Sequence, residues 1–361
     1  MKVLIISTVG LKYEGITSVI LSNLKAMDLL GLEIYVAGTI EVNDNIKKDI
    51  EKLGCKVIDF PNRKLHTFSY FISLLKFIFT KKIDVIHAHG NSGTLAIELV
   101  AAFMGGCRHR IVHSHNTRCE QVKVDKVLRP LFNMLYTDAL ACGKEAGNWL
   151  FGKRKFTIMN NGRDIDTFVF DEKVRAKVRA EYELTDEVVV GHVGGFIPQK
   201  NHEYLVEIYR AIHKIEPNTV FFMIGDGELR QHIEKKIKNY GLEANIFFTG
   251  ITDQVPQLLQ AMDAMILPSY YEGLPLVAIE WQIASLPCVV SDVISSECVI
   301  TELIEFCSLS DNPQVWAEKI LSQIKKTNRI ERAQEVRLEV EKAGFDIKEN
   351  AQTLRELYMS T

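Results

Sequence analysis

The stretch Met265-Ile266-Leu267-Pro268-Ser269-Tyr270-Tyr271-Glu272-Gly273-Leu274-Pro275-Leu276-Val277-Ala278-Ile279-Glu280 reads as a buried strand, a loop and the start of a helix. Strand, loop and helix in that order form the unit from which parallel sheets with helical crossovers are built. The same stretch carries two carboxylates eight positions apart. Glu272 falls at the mouth of the helix, where a phosphate would sit. Glu280 falls inside the helix, two turns in, where an acid is placed to grip a ribose diol, as in dinucleotide folds. The plainer reading makes Glu272 a partner of the helix dipole and Glu280 a solvated residue. Glu280 lies among Val277, Ala278, Ile279 and Trp281, which favours a specific partner.

The same rhythm runs outward through the chain. Strands are expected at 3–7, 33–37, 56–60, 84–89, 110–113, 139–142 and 157–159, with helical patterns such as 16–30 and 94–103 between them. A second series follows at 188–193, 219–224, 246–249, 264–267 and 287–291. Strands this uniformly apolar are buried on both faces. A seam falls near Asn160-Asn161-Gly162-Arg163, and 346–358 reads as a last helix. The expected architecture is α/β: a Rossmann-like domain over 1–163, a second over 164–345, and a C-terminal helix over 346–361. Ligands in such sheets sit outside the carboxyl ends of the strands, so chemistry is expected in a cleft between the two domains.

The 361 residues exceed what one core usually takes, in keeping with two domains. Seven cysteines are scattered without a CxxC pair, so neither a disulfide framework nor a zinc site is indicated. A reducing cytoplasm fits, and the N-terminus opens as a strand rather than a signal peptide. The net charge of −3 conceals an asymmetry: residues 1–163 sum to +9 and the remainder to −12. A basic first half points to an anionic partner, though drift of surface charge between domains would give the same numbers. Nucleic-acid binding lacks a dense basic and aromatic motif. A nicotinamide dehydrogenase is disfavoured because the first loop, Ser7 to Gly15, has no GxGxxG.

A second chemical loop opens the second domain, Val193-Gly194-Gly195-Phe196-Ile197-Pro198-Gln199-Lys200-Asn201. The glycines let backbone amides approach phosphate oxygens, a helix N-terminus adds positive potential, and Lys200, read as the start of that helix, adds a formal charge.

Taken together, the Glu272–Glu280 segment, Gly194–Lys200 and Asn161-Gly162 resemble the motifs of retaining nucleotide-sugar glycosyltransferases of family 4, which have the two-domain GT-B fold. The resemblance covers nearly the whole chain, including the final helix, which in that fold crosses back onto the first domain. His113-Ser114-His115-Asn116 resembles members that build bacterial exopolysaccharide or capsule. The resemblance implies that Glu280 holds the ribose, that Glu272 contacts the transferring sugar, and that Gly273 and Leu274 give backbone contacts near sugar and diphosphate. It implies that Gly194 and Lys200 meet the diphosphate and that His115, rather than His113, contacts the sugar. Gly15 matches the glycine of the first strand–helix loop, with Glu14 where a second glycine usually stands. Gly195 stands where the family usually has an arginine beside the diphosphate. Losing that guanidinium removes a charge-assisted contact of roughly 1.5–3 kcal/mol.

The activity implied is transfer from a nucleotide diphosphate sugar to a saccharide or lipid-linked saccharide, by a front-side route with no cofactor and no divalent metal. A lipid-linked acceptor suits the basic first half and an enzyme at the inner face of the cell membrane. Two rivals stand beside this reading: an epimerase or phosphorylase on the same frame, and a donor-binding or partner protein weakened at Gly195. Three further features invite other chemistry. Asp164-Ile165-Asp166 spells a metal motif of a different glycosyltransferase fold, but follows a turn rather than the expected strand. His87, His89 and His113 have no carboxylate to complete a facial triad. The apolar segment 68–79, flanked by Arg63, Lys64, Lys81 and Lys82, is too short to span a bilayer; it reads as a half-buried crossover helix or as a basic helix on a membrane surface.

Overall fold

A computed structural model describes residues 1–119 and 121–360. By contacts the chain divides into Met1–Arg163 with Gly344–Thr361, and Asp164–Ala343. The first unit runs β1 (Lys2–Ser7), α1 (Gly15–Ala26), β2 (Glu33–Gly38), α2 (Asp44–Lys52), β3 (Lys56–Asp59), α3 (Thr67–Lys81), β4 (Val85–His89), α4 (Ala96–Met104), β5 (His109–Ser114), α5 (Val122–Leu135), β6 (Asp138–Ala141), α6 (Lys144–Phe151) and β7 (Thr157–Ile158). Its seven strands are ordered β3-β2-β1-β4-β5-β6-β7 and all paired parallel. Alternate residues of β1 feed opposite cores: Val3 and Ile5 enter one, Leu4 and Ile6 the other. This period of two, buried on both sides, explains why the strand is apolar from Val3 to Ile6.

The second unit runs α7 (Ile165–Phe168), α8 (Glu172–Glu181), β8 (Val188–Val193), α9 (His202–Ile215), β9 (Thr219–Ile224), α10 (Arg230–Asn239), β10 (Ile246–Gly250), α11 (Val255–Ala261), β11 (Ala264–Leu267), α12 (Leu276–Ile283), β12 (Cys288–Ser291), β13 (Ile304–Cys307), α13 (Pro313–Lys326) and α14 (Arg329–Lys342). Its strands are ordered β10-β9-β8-β11-β12-β13, again all parallel. Val189 and Val190 of β8 face opposite cores in the same way. In both sheets the order reverses at the first strand, between β1 and β4 and between β8 and β11. Loops leaving the carboxyl ends of those pairs form the crevice in which doubly wound folds bind ligands.

The last helix, α15 (Ile347–Met359), belongs to the first unit. Asp346 caps it by accepting from the Lys348 N–H at 2.8 Å, and it packs on α1 through Ala351, Leu354 and Tyr358. Backbone bonds from Arg163 N–H to Phe345 O and from Ile347 N–H to Arg163 O hold its start in place.

Four local expectations are corrected. The helix expected to Leu30 ends at Ala26. Lys200 does not open a helix: it closes a 3-10 turn from Pro198, and Asn201 at φ 54° separates that turn from α9. Glu280 lies four residues after Leu276, little more than one turn into α12 rather than two. The sheet of the second unit also has a strand beyond the five expected, β13.

Candidate active site

In the second unit, β8 and β11 are neighbours, with Val190 opposite Ala264. Their loops are consequently side by side, and the Tyr270 N–H donates to Gln199 O at 2.9 Å. Glu272 joins them further. Its Oε1 accepts from Lys200 Nζ at 2.6 Å and from Ser269 Oγ at 2.8 Å, and its Oε2 accepts from Gln199 Nε2 at 3.0 Å. Gln199 Nε2 also donates to Tyr271 O at 2.9 Å. An ionised carboxylate has about four acceptor sites, so these donors fix its direction and leave one for a ligand hydroxyl. The side chains of Lys200 and Glu272 are 15% and 10% exposed, which makes their attraction stronger than that of a surface pair.

The floor of this site is built from glycine and histidine. A Cβ on Gly194 would lie 2.8 Å from His192 Nε2 and 3.2 Å from the Lys200 stem, so no other residue fits without moving the buried imidazole and crowding the lysine. Gly195 differs: its φ is ordinary, and a Cβ there meets only Asp226 O at 3.6 Å. His192 is fully buried, and its Nδ1 pairs with Ile266 O at 2.9 Å. Burial holds its imidazole well below the usual histidine range. Gly273 and Leu274 lie half-buried in the loop before α12. Pro275 stands at the N-cap of that helix and makes no side-chain cap bond. Glu280 is half-buried on the same helix, between the buried Ile279 and Trp281.

In the first unit, β4 and β5 place four histidines along adjacent strands: His87, His89, His113 and, just past the strand end, His115. His89 pairs across the sheet with His113. His89 Nδ1 and His115 Nε2 share a hydrogen bond of 2.8 Å. His87 Nδ1 shares one of 2.7 Å with Tyr358 OH of α15. The His115 N–H donates to Asn91 Oδ1 at 2.8 Å, and Asn91 O takes the Trp149 indole N–H at 2.9 Å. Burial pushes all four imidazoles down, His115 to about 3, so they are neutral at physiological pH. His115 is the partly exposed member. Nitrogens of His87, His89 and His113 lie within 4.8 Å of one another. Their rings are 6° to 34° from parallel, so lone pairs in the ring planes do not converge.

Beside this column is a pocket of about 460 Å³ at the β1–β4 reversal, walled by Thr8, Asn91, Asn116, Arg118 and Gln121 among others. Gly15 is exposed at the start of α1. Glu14, at the N-cap before it, has a buried Oε1 without a protein partner, and burial raises its carboxyl. Asp164 caps α7 by accepting from Asp166 N–H at 3.1 Å and Thr167 Oγ at 2.8 Å, and Asp166 pairs with Arg337. Both carboxylates of the DxD sequence thus have structural partners.

Sequence reasoning did not single out Gln199, Ser269, His192, Asn91 or Tyr358. Gln199 and Ser269 adjoin the two loops it did identify, and that adjacency was the available signal.

Comparison with known proteins supplies an independent line. The family model described as Glycosyl transferases group 1 matches residues 174–337. The chain is 31% identical over 294 residues to the Bacillus subtilis protein named putative glycosyltransferase EpsF, covering 76% of this chain and 74% of that one. It is 28% identical over 250 residues to an Escherichia coli UDP-Gal:alpha-D-GlcNAc-diphosphoundecaprenol alpha-1,3-galactosyltransferase, covering 63% of each. Among solved structures, Anabaena HepE in complex with UDP matches with a TM-score of 0.82 over 100% of both chains, at 19% identity.

Proposed function

Because this chain belongs to the group 1 glycosyl transferases and has the paired Rossmann-like units of their GT-B fold, we propose that it moves a sugar from a nucleotide diphosphate sugar to a saccharide with retention at the anomeric carbon. The observation that carries this reading is the convergence of Lys200, Gln199 and Ser269 on Glu272 at the β8–β11 reversal. One carboxylate is thereby aimed next to the single ammonium of a phosphate-type loop. In the proposed mechanism Lys200, the amides around Gly194 and Gly195 and the start of α12 take the growing charge of the leaving diphosphate. Such a preorganised site does the work that a divalent ion does elsewhere. Within the second unit Glu272 orients sugar hydroxyls, Gly273 and Leu274 lend backbone contacts, and Glu280 holds the ribose; sugar contact is the role proposed for His115 of the first unit. Donor contact is the role proposed for Gly15 of the first unit. The leaving phosphate itself assists a front-side attack by the acceptor hydroxyl.

A uridine diphosphate sugar is the first donor to test, since HepE was solved with UDP and the E. coli relative is named for UDP-Gal. The E. coli relative's named acceptor is a diphosphoundecaprenol-linked sugar. We accordingly assign a lipid-linked saccharide acceptor, and with it a place in cell-surface polysaccharide assembly at the inner face of the membrane. Among the described residues no helix is long and apolar enough to cross a membrane.

The test is a melting-temperature panel of nucleotide sugars followed by product analysis with the strongest binder. A shift with one base and sugar, and an α- or β-linked product matching the donor's anomer, is the expected result. No shift with any nucleotide diphosphate would refute the reading. Conversion of donor without acceptor would replace it with an epimerase.

A further inference from the structure

Helix α3 has two opposed faces. Tyr70, Leu74 and Ile78 are fully buried against the sheet. On the other side Phe68, Ile72 and Phe79 share one helix face with Lys76, and Phe68 and Phe79 are 78% and 70% exposed. Helix α4 packs against both α3 and α5. Helix α5 continues the apolar surface with Val124, Val127, Leu131 and Met134, of which Val127 and Met134 are 76% and 79% exposed. Between these helices is a groove of about 460 Å³ walled by Phe68, Phe71, Ile97, Val100, Leu128 and Leu131. Folded monomers rarely leave so much contiguous apolar surface in water.

The exposed charges on the helices of this face are of one sign. Glu98 and Asp125 are the only acids of the three helices, and both are buried. Glu98 pairs with Arg63 at 2.6 Å and Asp125 with Arg129 at 2.7 Å. Among the described residues, the exposed charges on the three helices are Lys76, Lys81, Lys123 and Lys126, with Lys64, Lys82 and Arg108 beside them; the exposed Asp84 lies past the end of α3, where it accepts from the Lys2 N–H at 2.7 Å. Isolated lysines would be unremarkable, and so would isolated apolar residues. Large apolar side chains rimmed by lysine, with both acids of the helices withdrawn into the interior, are complementary to a surface that is anionic outside and hydrocarbon within. A second copy of the same face would set lysine against lysine.

We propose that the α3–α4–α5 face of the first unit docks on an anionic lipid bilayer, with Phe68, Phe79, Val127 and Met134 entering the interface and the lysines meeting lipid phosphates. The assignment rests on the proposed function for its purpose, since a membrane-held acceptor requires such a surface. Its chemistry is testable without any sugar.

The full chain is floated with vesicles of phosphatidylcholine alone and of phosphatidylcholine mixed with phosphatidylglycerol. Binding is expected only to the mixed vesicles and should weaken with salt. The triple variant Phe68→Ser, Val127→Ser, Met134→Ser should lower the partition coefficient at least tenfold with an unchanged melting temperature. Lys123→Gln and Lys126→Gln should each lower it about fivefold. Absence of binding to mixed vesicles would overturn the proposal, as would binding indifferent to the apolar triple. So would a wild-type dimer in sedimentation that the triple dissociates, or an acidic protein that competes the chain off vesicles through other residues. Nucleotide-sugar melting shifts on the same samples separate the two claims. Docking fails alone if donor binding persists without vesicle binding; the catalytic reading fails alone in the converse case.

Discussion

Lys200 Nζ donates to Glu272 Oε1 across 2.6 Å, joining the loop after β8 to the loop after β11. The two charges therefore depend on one another. Lys200→Met leaves Glu272 with Ser269 and Gln199 as its remaining donors, and should cost stability of the order of 1–3 kcal/mol. Glu272→Gln combined with Lys200→Met should cost less than the sum of the single changes, by about 0.5–3 kcal/mol. Denaturant titration of the three variants measures this coupling. Ligand effects should divide differently. Lys200→Met should weaken nucleotide diphosphate binding about 10- to 100-fold, the worth of one charge-assisted contact. Glu272→Gln should bind the nucleotide at least as well as the native chain, because it frees the ammonium, while turnover falls. Calorimetry with UDP and steady-state rates would distinguish the two roles; equal loss of binding in both variants would contradict them.

By the family resemblance Gly195 stands where an arginine is usual, and its backbone and surroundings accept a Cβ. Gly195→Arg should therefore fold normally and tighten nucleotide diphosphate binding by about tenfold or more. Gly194→Ala is the contrasting change, since its Cβ falls on His192 and Lys200. It should weaken donor binding even though the added group is small. Turnover near background in the native chain, rising by orders of magnitude in Gly195→Arg, would favour the reading of a weakened enzyme.

Most strands were legible because their central residues are apolar and buried on both faces, and among the described residues twelve of the thirteen were expected, the more exposed β3 and β7 included. The missed strand, β13, lies at the sheet edge, has a half-buried Glu305 within it, and pairs with β12 alone. Local backbone detail was harder. Lys200 looked like a helix start, but Pro198 favours the tight turn and Asn201 adopts a left-handed conformation that ends it. The glutamates and Lys200 could be singled out as charged residues beside glycine. Their union through Gln199 and Ser269 could not, because it depends on which strands are neighbours. Likewise Tyr358 reaches His87 from 271 positions away, a pairing set by the return of α15 rather than by any local pattern.

Glu14 tests whether the departure in the first loop has a cost. Its carboxyl is raised by burial, with Lys12 opposing the shift. A raised acid contributes stability that is present below its unfolded value of 4.5 and lost as pH rises through the folded value. At neutral pH the buried charge is thus unfavourable, and Glu14→Gln should raise the melting temperature. The difference should disappear in acid, where Glu14 is itself protonated. Paired melting curves at neutral pH and below pH 4.5 would check this; a stabilisation independent of pH would point to packing instead.

The histidine column makes the opposite prediction about acid. His87, His89, His113 and His115 are held neutral by burial, so their folded values lie below the unfolded value of 6.5. Groups depressed in this way contribute stability that is complete above pH 6.5 and lost as pH falls toward the folded values, about 3 for His115. Within that window each fully buried imidazole steepens the loss by up to about 1.4 kcal/mol per pH unit. His115, partly exposed at the strand end, should contribute least. Native chain should accordingly lose stability steeply between pH 6.5 and roughly pH 4.5. His113→Phe removes one titrating group from the middle of the stack and should flatten the slope, even where it lowers stability at pH 7. Denaturant melts of both proteins across this range give the slopes directly, which report protons taken up on unfolding. Equal slopes would mean that His113 is already solvated and able to take its proton in the folded chain.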